Sequence, residues 1–116
     1  MNLPHLAPIK FAQEVLSVDE KRAKVKCVFP FAPTIAMLFE AAAQSSAAFS
    51  QDESKIGFIV SVKNLEQIKE IQIKEVIVQL ELCVAFGNIS EFSFDILNAQ
   101  ESEKYAFGIL TVMIQS

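Results

Sequence analysis

The chain has 116 residues, which predicts a single domain spanning residues 1–116 with an ordinary hydrophobic core. The chain is 52% hydrophobic and 21% charged, so it is richer in apolar residues than an average soluble monomer. A partner subunit is therefore expected to cover part of its surface. The net charge of −4 leaves no basic footprint for nucleic acid, and no apolar run reaches the roughly 20 residues that span a membrane.

The first part of the chain predicts two strands. Residues 9–18 are mostly apolar and β-prone, and residues 22–28 alternate charged and apolar side chains with the period of a half-exposed strand. Asp19-Glu20-Lys21 supplies a tight polar turn between them. Pro30 and Pro33 mark the loop that follows the second strand.

A helix is predicted from Pro33 or Thr34, a suitable N-cap, to about Phe49. Its sequence is apolar almost all round, yet it contains Glu40 and Gln44, four residues apart. A helix that is apolar on every face is normally buried. A buried ionised glutamate is costly unless it is paired or has a function, so Glu40 is the first candidate for a functional residue.

Four strands are predicted after a polar exit loop at residues 50–54. The longest, 71–86, changes its apolar phase at Lys74-Glu75, which predicts a bulge or a sharp bend there. The last is apolar on both faces, which is typical of a central strand. The four strands are residues 57–62, 71–86, 91–96 and 107–114, with turns at Gly87-Asn88 and at 98–102.

The order of the elements predicts an α+β protein, because two strands and one helix precede four strands with hairpin-like connections. A strongly curved antiparallel sheet wrapped around one long central helix accommodates both the bent long strand and the apolar helix. This is the hotdog architecture. Its edge strands and apolar flank would be exposed in a single chain, which predicts a dimer.

The thiol and imidazole groups indicate no metal or redox site. Cys27 and Cys83 are far apart and do not form a disulfide framework, and His5 is the single histidine. No zinc site is expected without a second histidine or a Cys-x-x-Cys motif, and no cofactor is predicted. Residues 1–12 lack the pattern of a secretory signal, so the protein is expected to be cytoplasmic with free thiols.

Three short motifs carry a family likeness. They are Leu3-Pro4-His5-x-x-Pro8 before an apolar strand ending Glu14-Val15-Leu16, then Glu40-Ala41-Ala42-Ala43-Gln44, then Gly57-Phe58-Ile59. In this order they resemble the opening motif, the helix motif Glu-Ala-x-Ala-Gln and the following strand of the β-hydroxyacyl-acyl-carrier-protein dehydratases. The resemblance covers essentially the whole chain, and the small variant dehydratases of aryl-polyene pathways look most similar. It implies a hotdog protein that acts on acyl thioesters of acyl-carrier protein or coenzyme A.

The sequence departs from this family at the catalytic histidine. The family's histidine lies about fourteen residues before the helix glutamate, in a Gly-His-Phe-Pro-Gly segment, and that position here is Lys26. The nearby residues 28–33, Val-Phe-Pro-Phe-Ala-Pro, contain neither histidine nor glycine, so the backbone also loses its close approach to a substrate. His5 matches the opening motif instead. The sequence therefore does not predict that this chain completes a standard dehydration by itself.

The resemblance implies that Glu40 and Gln44 are the catalytic residues. In the family, the histidine takes a proton next to the thioester carbonyl while the helix carboxyl helps the hydroxyl leave as water. Gln44 is expected either to hold the carboxyl or a bound water, or to brace a loop or Glu40 structurally. The helix N-terminus, near Thr34 to Met37, offers backbone amides to the thioester carbonyl oxygen.

Phe31, Pro33 and Phe58 are the predicted substrate-binding residues, with Phe31 and Phe58 lining an acyl tunnel. The other phenylalanines near the helix are expected in the core. Lys26 is expected on the solvent face of its strand and not to replace the missing base. Cys27 is not expected to be a nucleophile, since no histidine accompanies it.

Three functions follow as alternatives. The favoured one is a dehydratase-like subunit in fatty-acid or polyene biosynthesis, with the histidine supplied by a second hotdog chain in a heterodimer. The second is an acyl-coenzyme A or acyl-carrier-protein thioesterase that uses Glu40 alone as base or nucleophile. The third is a non-catalytic acyl-binding or scaffolding protein. A homodimer and a heterodimer are both compatible with the sequence.

Overall fold

The computed structural model describes residues 11–49 and 56–115, with the backbone alone at 56–58 and 114–115. The predicted order of two strands, one helix and four strands is confirmed. The elements are β1 (Ala12–Val18), β2 (Arg22–Val28), α1 (Ile35–Ser45) with a 3₁₀ turn (Ser46–Phe49), β3 (Ile56–Gln67), β4 (Glu75–Phe86), β5 (Ile89–Leu97) and β6 (Lys104–Gln115). His5, the opening motif and the predicted exit loop lie outside the described residues.

The six strands form one antiparallel sheet in the order β1-β2-β4-β5-β6-β3. Strand β6 is interior, between β5 and β3, as its apolar residues on both faces predicted. The prediction of hairpin-like connections among the last four strands is wrong for one of them. Strand β3 lies at the far edge beside β6, so the chain crosses the sheet from β3 to reach β4 beside β2.

The sheet curls around the helix. Six strands laid flat at about 4.8 Å spacing are about 24 Å wide, whereas a helix is only about 10 Å thick. Helix α1 nevertheless contacts both edge strands, β1 and β3, as well as β2, β4 and β6. Only a curved sheet brings both edges to one short helix, so the structure has the predicted α+β hotdog fold.

The core lies between the inner face of the sheet and α1. The register sets Val25 opposite Val78 and Cys27 opposite Val76, so one face of each strand is apolar. Ala41 and Ala42 of the helix are fully buried against this face. Alanine favours the helix and lets it approach the sheet closely, so a larger side chain at Ala42 would force the two layers apart. Around them, Phe29 is buried, and Phe39 and Phe49 pack partly buried against the core.

The phase change at Lys74-Glu75 marks the beginning of a strand, and of the two predicted alternatives the bend is confirmed, at Lys74, whereas no bulge lies there. Strand β4 starts at Glu75, and Ile71 is buried from the preceding connection. The amide of Phe29 donates to the carbonyl of Lys74 at 2.7 Å, which fixes the connection beside β2. The register shift of β4 occurs later, between Leu82 and Val84.

Both edge strands are irregular. Strand β1 has register shifts between Ala12 and Glu14 and between Val15 and Ser17. Strand β3 has two as well, after Ile59 and after Lys63, and Asn64 there has a φ of +53°. Such bulges interrupt the row of backbone groups that an edge strand presents.

Exposed apolar side chains nevertheless remain on both edges, namely Val15, Leu16 and Val18 on β1 and Val60 and Leu65 on β3. No helix in the described part of the chain is long and apolar enough to cross a membrane.

Candidate functional site at helix α1

The helix begins at a capped N-terminus, as predicted. Thr34 has extended backbone angles, and its Oγ1 accepts the amide of Met37 at 3.3 Å. The amide of Leu38 donates to the Thr34 carbonyl at 3.1 Å. The backbone amides at this end of the helix were predicted to bind a thioester oxygen. Those of Ile35 and Ala36 have no acceptor among the described residues. Two such donors at a helix N-terminus can stabilise negative charge.

Glu40 lies in the middle of α1 and is half-buried. Within residues 11–49 and 56–115, no side chain or amide pairs with its carboxylate. The expectation that the helix is buried on every face is wrong for the single chain, because Ile35, Ala36 and Ala47 are exposed. One layer of sheet covers one side of a helix, so the opposite side, near Glu40, stays open.

Gln44 follows one turn after Glu40 and ties the helix to the start of β1. Its Oε1 accepts the amide of Phe11 at 2.7 Å and the amide of Ala12 at 3.1 Å. The Phe11 carbonyl in turn accepts the amide of Val28 at 2.9 Å. The glutamine thus has a structural, bracing role, as one of the two alternatives predicted, although it braces the start of β1 and not a loop or Glu40. Its catalytic role stays a prediction.

The predicted substrate-binding residues lie in two places. Phe31 is 56% exposed and Pro33 is half-buried, both in the loop that leads from β2 into α1. Phe58 belongs to β3, where its backbone is paired with Met113, and its side chain is outside the described part. Val28 and Ile35 add exposed apolar surface near Phe31 in sequence. Exposed apolar side chains therefore lie in and next to the loop before the helix, and their role in substrate binding stays a prediction.

The structure also argues against Lys26 and Cys27 as substitutes for the missing catalytic histidine. Lys26 pairs with Glu75 at 3.2 Å on the outer face of the sheet, opposite the helix. Cys27 is buried against α1, and burial raises the pKa of its thiol to about 11, although a hydrogen bond with Ser45 acts in the other direction. A thiol in this state is not a nucleophile near neutral pH.

The sequence did not lead us to predict the contacts that Ser45 makes with Ala41 and Cys27. Its Oγ donates to the carbonyl of Ala41 at 2.7 Å and lies 3.3 Å from the Sγ of Cys27. A buried serine in an apolar helix usually bonds back to the carbonyl four residues earlier, and this is the signal that would have located it. The pair joins the last turn of α1 to β2.

Two depressions formed by described residues lie away from this region. They have volumes of about 350 and 220 Å³ and share Arg22 and Gln79 on the outer face, and neither is lined by Glu40 or Gln44. In the part of the chain that the structure describes, no group of histidine, cysteine and acidic residues is arranged to hold a metal ion.

No protein-family model matches this chain, and no curated protein matches it by sequence. Among solved structures, it is similar to the dehydratase heterocomplex ApeI:P from Xenorhabdus doucetiae, with a TM-score of 0.79 and 15% identity over 98% of this chain and 88% of that one. It is also similar to a Q32A mutant of the thioesterase SAV0944 from Staphylococcus aureus, with a TM-score of 0.68 and 14% identity over 89% of this chain and 93% of that one.

A hypothetical thioesterase with coenzyme A from Streptococcus pneumoniae is similar as well, with a TM-score of 0.67 and 12% identity over 89% of this chain and 85% of that one. At these identities the likeness establishes the hotdog fold. The similar structures with this fold include both a dehydratase complex and thioesterases.

Proposed function

We propose that this chain is an acyl-thioester hotdog protein of the dehydratase type. It serves as a subunit for 3-hydroxyacyl groups carried on acyl-carrier protein in fatty-acid or polyene biosynthesis. The observation that carries the proposal is Glu40, a half-buried carboxylate without a described partner on a helix whose other neighbouring side chains are almost all apolar. An acidic side chain among apolar neighbours, with no described structural partner, is a candidate for proton transfer.

The chemistry assigned to this chain is the departure of the hydroxyl. Glu40 donates a proton to the 3-hydroxyl, the C–O bond breaks, and water leaves as the C–H bond beside the carbonyl gives its electrons to the new double bond. The amides of Ile35 and Ala36 stabilise the charge that develops on the thioester oxygen. Gln44 keeps β1 fixed against the helix, so the carboxylate is held in a constant position.

The base that removes the proton beside the carbonyl is assigned to a second hotdog chain. The only histidine here is His5, and Lys26 is held on the opposite face of the sheet by Glu75. The similar Xenorhabdus structure is, by its name, a heterocomplex, which supports a two-chain site. The exposed apolar residues of edge strand β3, Val60 and Leu65, offer surface for such a partner.

The test uses the purified chain with and without a histidine-bearing dehydratase chain that co-purifies with it. A 3-hydroxyacyl-pantetheine thioester is the substrate, and formation of the 2-enoyl thioester is measured. Turnover is expected only with the partner, and Glu40→Gln is expected to lower it by about 10²–10⁴-fold. Glu20→Gln, at an exposed carboxylate in the turn between β1 and β2, is the matched control and should retain full activity. Equal activity of the Glu40 and Glu20 variants would contradict the assignment.

A thioesterase is the second candidate, favoured by the absence of a described imidazole beside Glu40 and by thioesterases among the similar structures. In that case the carboxylate activates water or attacks the thioester itself. The chain alone would then hydrolyse acyl-coenzyme A, and Glu40→Ala would abolish this. Saturable acyl-thioester binding that survives Glu40→Ala, with no turnover in either assay, would instead identify a binding or scaffolding protein.

A further inference from the structure

The tip of the β4–β5 hairpin carries an apolar patch on the outer face of the sheet. Phe86 is paired with Ile89, and Ile89 is paired with Met113 of β6, so the three residues form one row across three strands. Val84 lies on the same face two pairs further along β4, opposite Glu91. All four are exposed, and Phe86 is 83% exposed. We call these four residues the hairpin patch.

Five ion pairs also lie on the outer side of the sheet, among further side chains that include apolar Ile77 and Phe107. The five pairs are Arg22–Glu81, Lys24–Glu101, Lys26–Glu75, Lys63–Glu91 and Lys104–Asp95, at 2.7 to 3.8 Å. One of them, Lys63–Glu91, borders the hairpin patch, so the charges next to the patch cancel.

The hairpin that carries the patch has a tight, well-defined turn. Strands β4 and β5 are joined by a two-residue turn at Gly87-Asn88, and Gly87 has a φ of +62°, which glycine adopts without strain. A phenylalanine has a surface of 150–250 Å², so Phe86 alone exposes roughly 130–200 Å² at its observed exposure. With its neighbours the patch reaches a few hundred Å², the size at which apolar patches on single chains are often functional.

We propose that the hairpin patch binds the hairpin patch of a second copy of this chain about a two-fold axis. A two-fold contact requires a surface that is complementary to itself. The patch is bordered by Lys63 and Glu91, one charge of each sign 3.1 Å apart, so the rotation sets Lys63 against the partner's Glu91. Because the charges of Lys63 and Glu91 cancel, they add little repulsion between two copies at the patch.

The size of the patch sets the strength of this contact. A standard interface buries about 800 Å² on each partner, and the patch supplies less than that. The association is therefore weak and depends on concentration, with Phe86 as its central anchor. It is separate from the chemistry at Glu40, so it stands if the proposed function fails.

The first test is sedimentation velocity of the full chain at about 1 to 100 µM, with Phe86→Asp and a control variant Val15→Asp. Val15 is 49% exposed on β1, so both changes place a carboxylate at an exposed apolar position. Phe86→Asp is expected to weaken one association step at least tenfold and halve the mass of the largest species, whereas Val15→Asp leaves it unchanged. An unchanged mass for Phe86→Asp overturns the proposal, as does an equal loss in both variants.

A positive test uses a disulfide across the axis. Ile89 is the middle residue of the row, so Ile89→Cys in a Cys83→Ser background is expected to give a covalent dimer under mild oxidation, because two copies bring their Cα atoms within about 7 Å. Val15→Cys in the same background is the control. No faster cross-linking at 89 than at 15 contradicts the two-fold arrangement. Flotation with phosphatidylcholine vesicles that requires Phe86 would also overturn it, in favour of a lipid surface.

Discussion

Replacing Gln44 with leucine removes the oxygen that accepts two backbone amides at the start of β1. The hydrogen bonds from Phe11 and Ala12 to this oxygen are 2.7 and 3.1 Å long, and the residues they join are more than thirty positions apart in the chain. Leucine has nearly the same volume as glutamine but offers no acceptor. The change therefore isolates the hydrogen bonds from the packing around them.

The expected loss follows from the burial of the two amides. A buried amide left without an acceptor costs about 1–3 kcal/mol. Phe11 is buried, whereas Ala12 is half-buried and can reach water, so the second amide counts near the lower limit. The apolar leucine returns up to about 1 kcal/mol. We expect the free energy of unfolding to fall by about 2 kcal/mol.

Urea unfolding followed by circular dichroism measures this loss. Gln100→Leu, in the exposed turn after β5, is the matched control and should stay within about 0.5 kcal/mol of the wild type. Gln44→Glu, which keeps two acceptor oxygens, should recover part of the loss. If Gln44→Leu is as stable as Gln100→Leu, the glutamine does not brace β1 and the reasoning fails.

Three further predictions concern the cysteines and glycines. A maleimide reagent at pH 7.5 should label exposed Cys83 and leave buried Cys27 unreacted until the protein unfolds, and equal labelling rates would contradict the burial of Cys27. The folded chain binds the Cys27 proton more tightly than the unfolded chain, since burial raises the thiol pKa from 9.0 to about 11. This contribution to stability is complete below about pH 9 and declines from there towards pH 11. Cys27→Ala should remove that decline in denaturation curves, and a decline that persists unchanged would assign it elsewhere. Gly108→Ala should lower the free energy of unfolding by about 1–3 kcal/mol, because the new methyl group lies 3.1 Å from the Phe94 ring. Gly87→Ala meets open space and should cost about 1 kcal/mol, through its φ of +62° alone. Equal losses at the two glycines would refute the steric argument.

The element order and the fold could be predicted from the sequence because local patterns specify them. The alternation of residues 22–28 gives a strand with the same bounds in the structure, and Thr34 caps the helix as expected. Local patterns do not predict which strands are neighbours in the sheet. The position of β3 beside β6 depends on contacts between distant residues, such as Ile59 with Val112, that no local pattern records.

The candidate site could be predicted only in part. The position of Glu40 on the helix is local information, but its exposure depends on which side of the helix the sheet covers. The bend at Lys74 was predicted, but the start of the strand at residue 71 was not correct, because Ile71 is buried from a connection and a buried apolar residue outside a strand can be mistaken for part of one. The second role of Gln44 joins residues in different elements, so the sequence could only leave it as an alternative.

The two interruptions on each edge strand limit which chains can extend the sheet. A regular extended segment can form backbone hydrogen bonds with such an edge over only a few residues, because the register shift then moves the donors and acceptors out of alignment. A folded partner whose own strand bends at compatible points can stay paired along the whole edge. The irregular edges of β1 and β3 therefore hinder pairing with the extended, unfolded chains that are present during synthesis.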